Sequence, residues 1–518
     1  MSSAGKEQKR ITRREFVKGA AVGAVAVAGA GALTSCKTAL APGMPKKWDK
    51  EADVVVVGYG GAGAAVAIEA SKAGAKVLVL EKMPTDGGST AICGGIVYLG
   101  GGTAVQKAAG FTDTRDNMYN YIVAAAGDGA DPELIGVYCD HSLELFDWLV
   151  GLGVKFKESY LPGKWVIPPT DDGLAYSGNE QQAYFKTIAE PVPRGHHAQA
   201  EGSSGYAWWP PIQAAVKASG AEVLHEATAE ELVVNAEGRI VGVVAEVEGQ
   251  KTYIKANKAV TLCAGGFGSN KEMLNLHCPE YLRCGFSIGT PGDDGSGIRM
   301  GQAVGADVRM MGQVVAYNAI YATNAALVKG VLVDDKGQRF VGEDNYGEWV
   351  GDAIVKDHPV SHLVIDDAVW GELPEAVKEA LTPAAQADTI AGLASALGIE
   401  SGLLENTVEF YNKFAAQGQD PEFHKDEHYV TPLETSPFYA LDFTAATVGL
   451  LTTGGLRTNT KAQVLDVNGQ VIPGLYSAGR NAFGVIARHY PGSGTSVGDA
   501  LIFGRIAGKD AAALEPWS

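Results

Sequence analysis

Gly58-Tyr59-Gly60-Gly61-Ala62-Gly63, followed about 20 residues later by Glu81, is a set of residue types that grips a dinucleotide. Gly58 permits a tight turn, Gly60 lets a pyrophosphate approach the backbone, and Gly63 lets helix and strand pack closely. Glu81 supplies a carboxylate for ribose hydroxyls. Such a turn needs a strand before it and a helix after it. Asp53-Val54-Val55-Val56-Val57 is a continuous apolar run of the buried parallel kind, Ala64 to Ala73 reads as a helix, and Lys76 to Leu80 reads as the next strand. The helix start then turns free N–H groups toward phosphates. A glycine turn alone is often only packing, and it is the strand, helix and acid together that argue for dinucleotide binding.

Later segments favour FAD over NAD. Gly87-Gly88-Ser89-Thr90 and Gly94-Gly95 form a second flexible, hydroxyl-bearing loop suited to a longer cofactor. Val260 to Gly266 is an apolar strand ending on small residues, among them Ala264 and Gly265, expected to pass beneath the adenosine half. Leu465 to Val471 reads as a hairpin turning at Asn468-Gly469. Pro473 to Arg480 then brings a strand to Gly479. Finally Tyr490-Pro491-Gly492-Ser493-Gly494-Thr495-Ser496-Val497-Gly498 leads into a helix expected over Asp499 to Ala507. A helix start aimed at the pyrimidine edge of a flavin stabilises negative charge on the reduced ring.

The amino terminus speaks to location. Thr12-Arg13-Arg14-Glu15-Phe16-Val17-Lys18 is a twin-arginine motif, and Gly19 to Leu33 is apolar, rich in small residues and uncharged. Leu33-Thr34-Ser35-Cys36 has the pattern of a lipoprotein cleavage site. Residues 1–36 are therefore expected to be an export signal, with Cys36 acylated and the protein anchored on the outer face of the cell membrane. Residues 37–50 read as a linker. The formal charge of −18 excludes a nucleic-acid partner, since the clustered basic residues belong to the signal. The 518 residues suffice for two domains, and 67 glycines suit many backbone approaches to a cofactor. Six cysteines without a Cys-x-x-Cys pair exclude a zinc ribbon, a ferredoxin-like cluster and a c-type haem, so no metal is expected. Cys278 and Cys284 read as free thiols, with a pairing between them left open. An electron partner must then be a separate quinone or haem protein.

Tyr98 to Thr103, Pro193-Arg194-Gly195-His196, Asp171-Asp172-Gly173-Leu174, Glu343-Asp344-Asn345-Tyr346 and Gly494-Thr495-Ser496 carry a resemblance. The chain resembles the flavoprotein family of fumarate reductases, urocanate reductases and 3-ketosteroid dehydrogenases, and within it the 3-ketosteroid Δ4-(5α)-dehydrogenases. The resemblance implies an α/β fold, with a Rossmann-type FAD-binding domain over 51–309 and 442–518 and an inserted α+β catalytic domain over 310–441. It implies non-covalent FAD held by the residues above and by Lys82, Ala227, Asp294, Gly479, Arg480, Gly494, Thr495, Ser496 and Val497. It also places the chemistry on Tyr346, Tyr490 and Ser493. The loop has one residue more than the Δ4 pattern, as in the Tyr-Pro-Gly-x-Gly of the Δ1-dehydrogenases, so which bond is acted on stays open.

Moving two hydrogens across a C–C bond beside a ketone needs a hydride carrier and a proton carrier. A phenol is a poor base alone, so a neighbouring hydroxyl is expected to lower its pKa. A phenol and a backbone N–H of Gly492 or Gly494 would hold the ketone oxygen. Tyr317 and Tyr321 are further candidates to line the pocket. The substrate expected is a 3-ketosteroid or similar enone, oxidised or reduced. The alternative is a respiratory reductase of a small unsaturated carboxylate. In that branch arginines grip the substrate, whereas this chain offers only Arg488 and His489 near the loop and Gly347 where the proton-path arginine stands. A distant third is a flavin electron-transfer protein with no substrate.

Overall fold

The valine run forms the centre of a sheet. Strand Lys50–Val57 pairs in parallel with Gln250–Leu262 on one side and with Val77–Leu80 on the other, and Val54, Val55 and Val56 are wholly buried. Burial on both faces is what a run without polar alternation requires. The computed structural model describes residues 44–318 and 325–517, so the twin-arginine motif, Cys36 and Tyr321 lie outside the described residues. The sheet order is Gln463–Leu465, Val471–Ser477, Gln250–Leu262, Lys50–Val57, Val77–Leu80, Glu222–Leu224. All neighbours are parallel except the first pair, which is the hairpin expected at Asn468-Gly469. Ala227–Val234 and Ile240–Val247 extend the sheet as an antiparallel ribbon from Gln250–Leu262. Distant parts of the chain thus build one mostly parallel sheet.

Small residues set how the covering helices dock. Helix Gly61–Lys72 is mostly Gly, Ala and Val, and it packs on the carboxyl-terminal helix Thr495–Ala513. A Cβ on Gly508 would lie 2.6 Å from the Val66 carbonyl oxygen, so only glycine allows that approach. The carboxyl-terminal helix is longer than expected at both ends. Its start at Thr495 places the Tyr490–Gly494 loop at the amino terminus of the helix.

Three further sheets position the segments that carry the other candidate site residues. Val331–Asp334, Ser361–Asp366, Phe438–Asp442 and Ala385–Ala387 form an antiparallel sheet. Beside it, Val314–Asn318 pairs antiparallel with Val448–Thr452, and helix Gly347–Lys356 lies against it where a Cβ on Gly351 would sit 2.7 Å from the Ala316 carbonyl carbon. Tyr346 is the residue at which that helix begins. A small sheet of Ile96–Tyr98, Gly195–His197, Leu174–Tyr176 and Tyr160–Lys164 ends just before Ser177. Cys93, Cys139, Cys263, Cys278 and Cys284 are all free thiols. Among the described residues no group of side chains is arranged to hold a metal, and no helix is long and apolar enough to cross a membrane.

Candidate active site

The glycine turn opens onto a long cleft. Gly58 has φ +100°, a conformation L side chains rarely adopt, and its amide donates to the Leu80 carbonyl at 2.8 Å, joining the turn to the neighbouring strand. At Gly60 an added Cβ would meet only the Gly87 carbonyl at 3.8 Å, so the backbone lies open to the cleft. Glu81 is buried, and its two oxygens each accept a backbone N–H at 2.8 Å, from Tyr59 and from Met83. That holds the carboxylate at the strand end.

Most of the expected cofactor residues line this cleft: Gly58, Gly60, Gly61, Ala62, Glu81, Lys82, Gly88, Ser89, Thr90, Gly94, Ala227, Ala264, Gly265, Gly479, Arg480, Gly494, Ser496 and Val497. Gly63, Gly87, Gly95 and Thr495 stand behind the lining, where they permit close packing or cap the helix. Thr495, for instance, donates its hydroxyl to the Gly492 carbonyl at 2.7 Å. Asp294 also stands outside the lining, paired with Lys82 at 2.5 Å. Its neighbour Asp293 faces the cleft instead, bonded to Arg480 Nη2 at 2.5 Å and to Ser89 Oγ at 3.1 Å. Consecutive residues of a tight turn point opposite ways, and the adjacent pair Asp293-Asp294 was the available signal.

Three side chains from distant segments meet at the other end. Tyr346 Oη lies 3.0 Å from Ser493 Oγ, and the Tyr346 and Tyr490 rings stack with centroids 6.0 Å apart and planes 16° apart. Ser496 N–H donates to Tyr490 Oη at 2.9 Å, leaving the phenol its own hydrogen to donate. Glu348, wholly buried in the helix that Tyr346 opens, accepts the Tyr490 N–H at 3.4 Å. Apolar Val166, Ile167, Val315 and Leu451 and the ring of Tyr317 complete the walls.

Burial decides the protonation of the phenols. It pushes Tyr346 well above the usual tyrosine range, the nearby Tyr490 adds to the shift, and the Ser493 hydrogen bond opposes it without prevailing. Burial likewise raises Tyr490 against the Ser496 N–H. The expected lowering is therefore reversed, because desolvation of a phenolate outweighs one neutral hydroxyl. Both tyrosines carry their protons at neutral pH. Gly492 is outside the lining, with a Cβ there only 2.5 Å from the Tyr98 ring. Arg488 and His489 also stay out: Arg488 pairs with Asp352 at 3.3 Å, and His489 stacks on Trp349 at 4.0 Å.

With this geometry in view, the chain can be set beside known proteins. Residues 53–497 match the family described as FAD binding domain. The chain belongs to that family. It is 41% identical to the 3-ketosteroid-Δ4-(5α)-dehydrogenase of Rhodococcus jostii RHA1, solved in complex with 4-androstene-3,17-dione, with a TM-score of 0.85 over 90% of this chain and 98% of that one. It is 30% identical to a urocanate reductase of Eggerthella lenta over 91% of this chain and 76% of the relative. A digoxin reductase of the same organism is 28% identical over 98% of both.

The flavoprotein's own residues fit FAD. Arg480 Nη1 is buried without a partner at the cleft, the open backbone at Gly60 suits a pyrophosphate, and the fixed Glu81 carboxylate suits ribose hydroxyls. The chain is thus an FAD-dependent oxidoreductase of mixed α/β fold. Near the same helix start, Asp499 is buried, accepts the Val485 N–H at 3.1 Å, and has its carboxyl pushed up to about 7 by burial. A folded-state pKa above the ordinary carboxylate value means the fold loses stability as pH rises toward 7. Asp499→Asn is expected to be nearly neutral at about pH 3, with a stabilising effect that grows by on the order of 1–3 kcal/mol between pH 5 and pH 8, read by urea unfolding.

Proposed function

We propose that this flavoprotein acts on the C–C bond α,β to the ketone of a 3-ketosteroid or steroid-like enone, and that it works as a reductase. The observation that carries the reading is the Tyr346–Ser493 hydroxyl pair beside Tyr490 in an apolar-walled cleft. Likeness to the Rhodococcus dehydrogenase supports it. A bound, reduced flavin would supply the hydride. Tyr346, exchanging its proton with Ser493, protonates the carbon next to the ketone, and Tyr490 donates its free hydrogen to the ketone oxygen. Apolar walls admit a ring system and exclude water. Arg488 and His489, engaged outside the cleft, leave a small carboxylate without a bidentate grip, which favours the steroid reading over fumarate or urocanate.

The proposal includes the division into an FAD-binding part and an inserted substrate part at 310–441. It also includes export and lipid anchoring through residues 1–36, and electron delivery by a separate quinone or haem protein. Because a raised pKa keeps the donor protonated, reoxidation of the reduced enzyme by an enone is expected to be flat from roughly pH 6 to 9 and to fall only above that range. A rate that climbs with pH would instead show that neither phenol is the proton donor in this reaction. The substrate class is tested by anaerobic titration of the oxidised holoprotein with 4-androstene-3,17-dione, fumarate and urocanate. The steroid alone should perturb the flavin absorption. A perturbation by either carboxylate without the steroid would sink the reading.

A further inference from the structure

Tyr346 and Ser493 belong to segments far apart in sequence, and beside the 3.4 Å bond from the Tyr490 N–H to Glu348 a third segment ties them together. Both are held by the stretch Ser177-Gly178-Asn179. Asn179 Oδ1 accepts the Tyr346 N–H at 2.6 Å. The Asn179 N–H donates to Tyr121 Oη at 2.7 Å, and that hydroxyl donates to the Pro491 carbonyl at 2.7 Å. Gly178 bridges antiparallel to Gly492, and the Ser493 N–H donates to the Ser177 carbonyl at 2.8 Å. Ser177 and Asn179 are buried, so these bonds do not compete with water. None of the three lines the cleft.

We propose that Asn179 is a positioning residue that sets the Tyr346–Ser493 proton pair by tying the first turn of one segment to the flavin loop of the other. This rests on the proposed role of that pair in proton delivery. An asparagine suits the task because one short side chain and its own amide reach two segments at once. Asn179→Ala removes the Oδ1 acceptor and frees the start of the Tyr346 helix. Asn179→Asp keeps an acceptor of the same length, and the Lys164 ammonium, 3.4 Å from Oδ1, faces the added charge.

The test is single-turnover reoxidation of the photoreduced holoenzyme by 4-androstene-3,17-dione in H2O and D2O, with Asn179→Ala, Asn179→Asp, Tyr346→Phe and the double variant Asn179→Ala/Tyr346→Phe. Misplacing a proton donor by about 1 Å costs on the order of 100-fold, so Asn179→Ala should be 10- to 100-fold slower with FAD still bound. Its solvent isotope effect should rise, and Asn179→Asp should recover to within about 3-fold of the native rate. In the Tyr346→Phe background Asn179→Ala should add almost nothing. The proposal is overturned if Asn179→Ala stays within about 2-fold of native, if its loss adds fully to that of Tyr346→Phe, or if Asn179→Asp is no better than alanine. An unimpaired Tyr346→Phe would instead overturn the proposed function itself, so the two failures are distinguishable.

Discussion

Tyr346→Phe is expected to slow reoxidation of the reduced enzyme by 4-androstene-3,17-dione by about 100- to 10,000-fold, the usual contribution of a positioned general acid. The substitution removes one oxygen, the atom 3.0 Å from Ser493 Oγ, and leaves the stacked ring in place against Tyr490. FAD content and thermal stability should therefore stay near native. The loss should fall on kcat and kcat/KM alike, because the proton is needed only as the transition state forms. Stopped-flow absorbance of the flavin reads it directly. A rate within about 3-fold of native would take the proton role from Tyr346.

Gly58→Ala is expected to yield protein that has lost most of its FAD. The residue sits at φ +100°, and a Cβ there would lie 2.8 Å from the Cys263 carbonyl carbon and 3.0 Å from the Ala264 Cα. Neither neighbour is a side chain that can swing away. Either the turn or the strand end carrying Ala264 and Gly265 must shift, and both line the cleft. The left-handed conformation alone costs about 1–2 kcal/mol, and with the displacement FAD affinity should drop at least about 10-fold. Reconstitution of apoprotein with FAD, followed by fluorescence quenching, measures it. Gly74→Ala is the control: at φ +87° it carries a similar strain, yet no atom lies within 4 Å of its Cβ. It should keep its FAD.

The two ends of the cleft were unequally legible in the sequence. Gly58 and Glu81 announce themselves because the strand, turn, helix and second strand that position them are contiguous, and each leaves a local pattern. Tyr346 and Ser493 have no such pattern between them, and only resemblance to a family joined them. The acidity of the Tyr346 phenol went against expectation, since the depth of burial that raises it cannot be read from neighbouring letters. Asp293 was missed by one position in favour of Asp294, because a turn's side-chain directions depend on its backbone angles. Asn179 and Ser177 were not legible at all. They act through backbone amides and carbonyls of residues 167 and 316 positions away, and a backbone group has no residue-type signature.

We propose that the cleft reduces a ketone-conjugated steroid through its phenol–serine pair. The most direct test is anaerobic: reduce the flavin of the holoprotein chemically and follow reoxidation by 4-androstene-3,17-dione, by fumarate and by urocanate in parallel. Rapid reoxidation by the steroid alone is expected, slowed at least about 100-fold in Tyr346→Phe. Reoxidation by fumarate or urocanate with the steroid inert would contradict it and turn attention to Arg488 and His489.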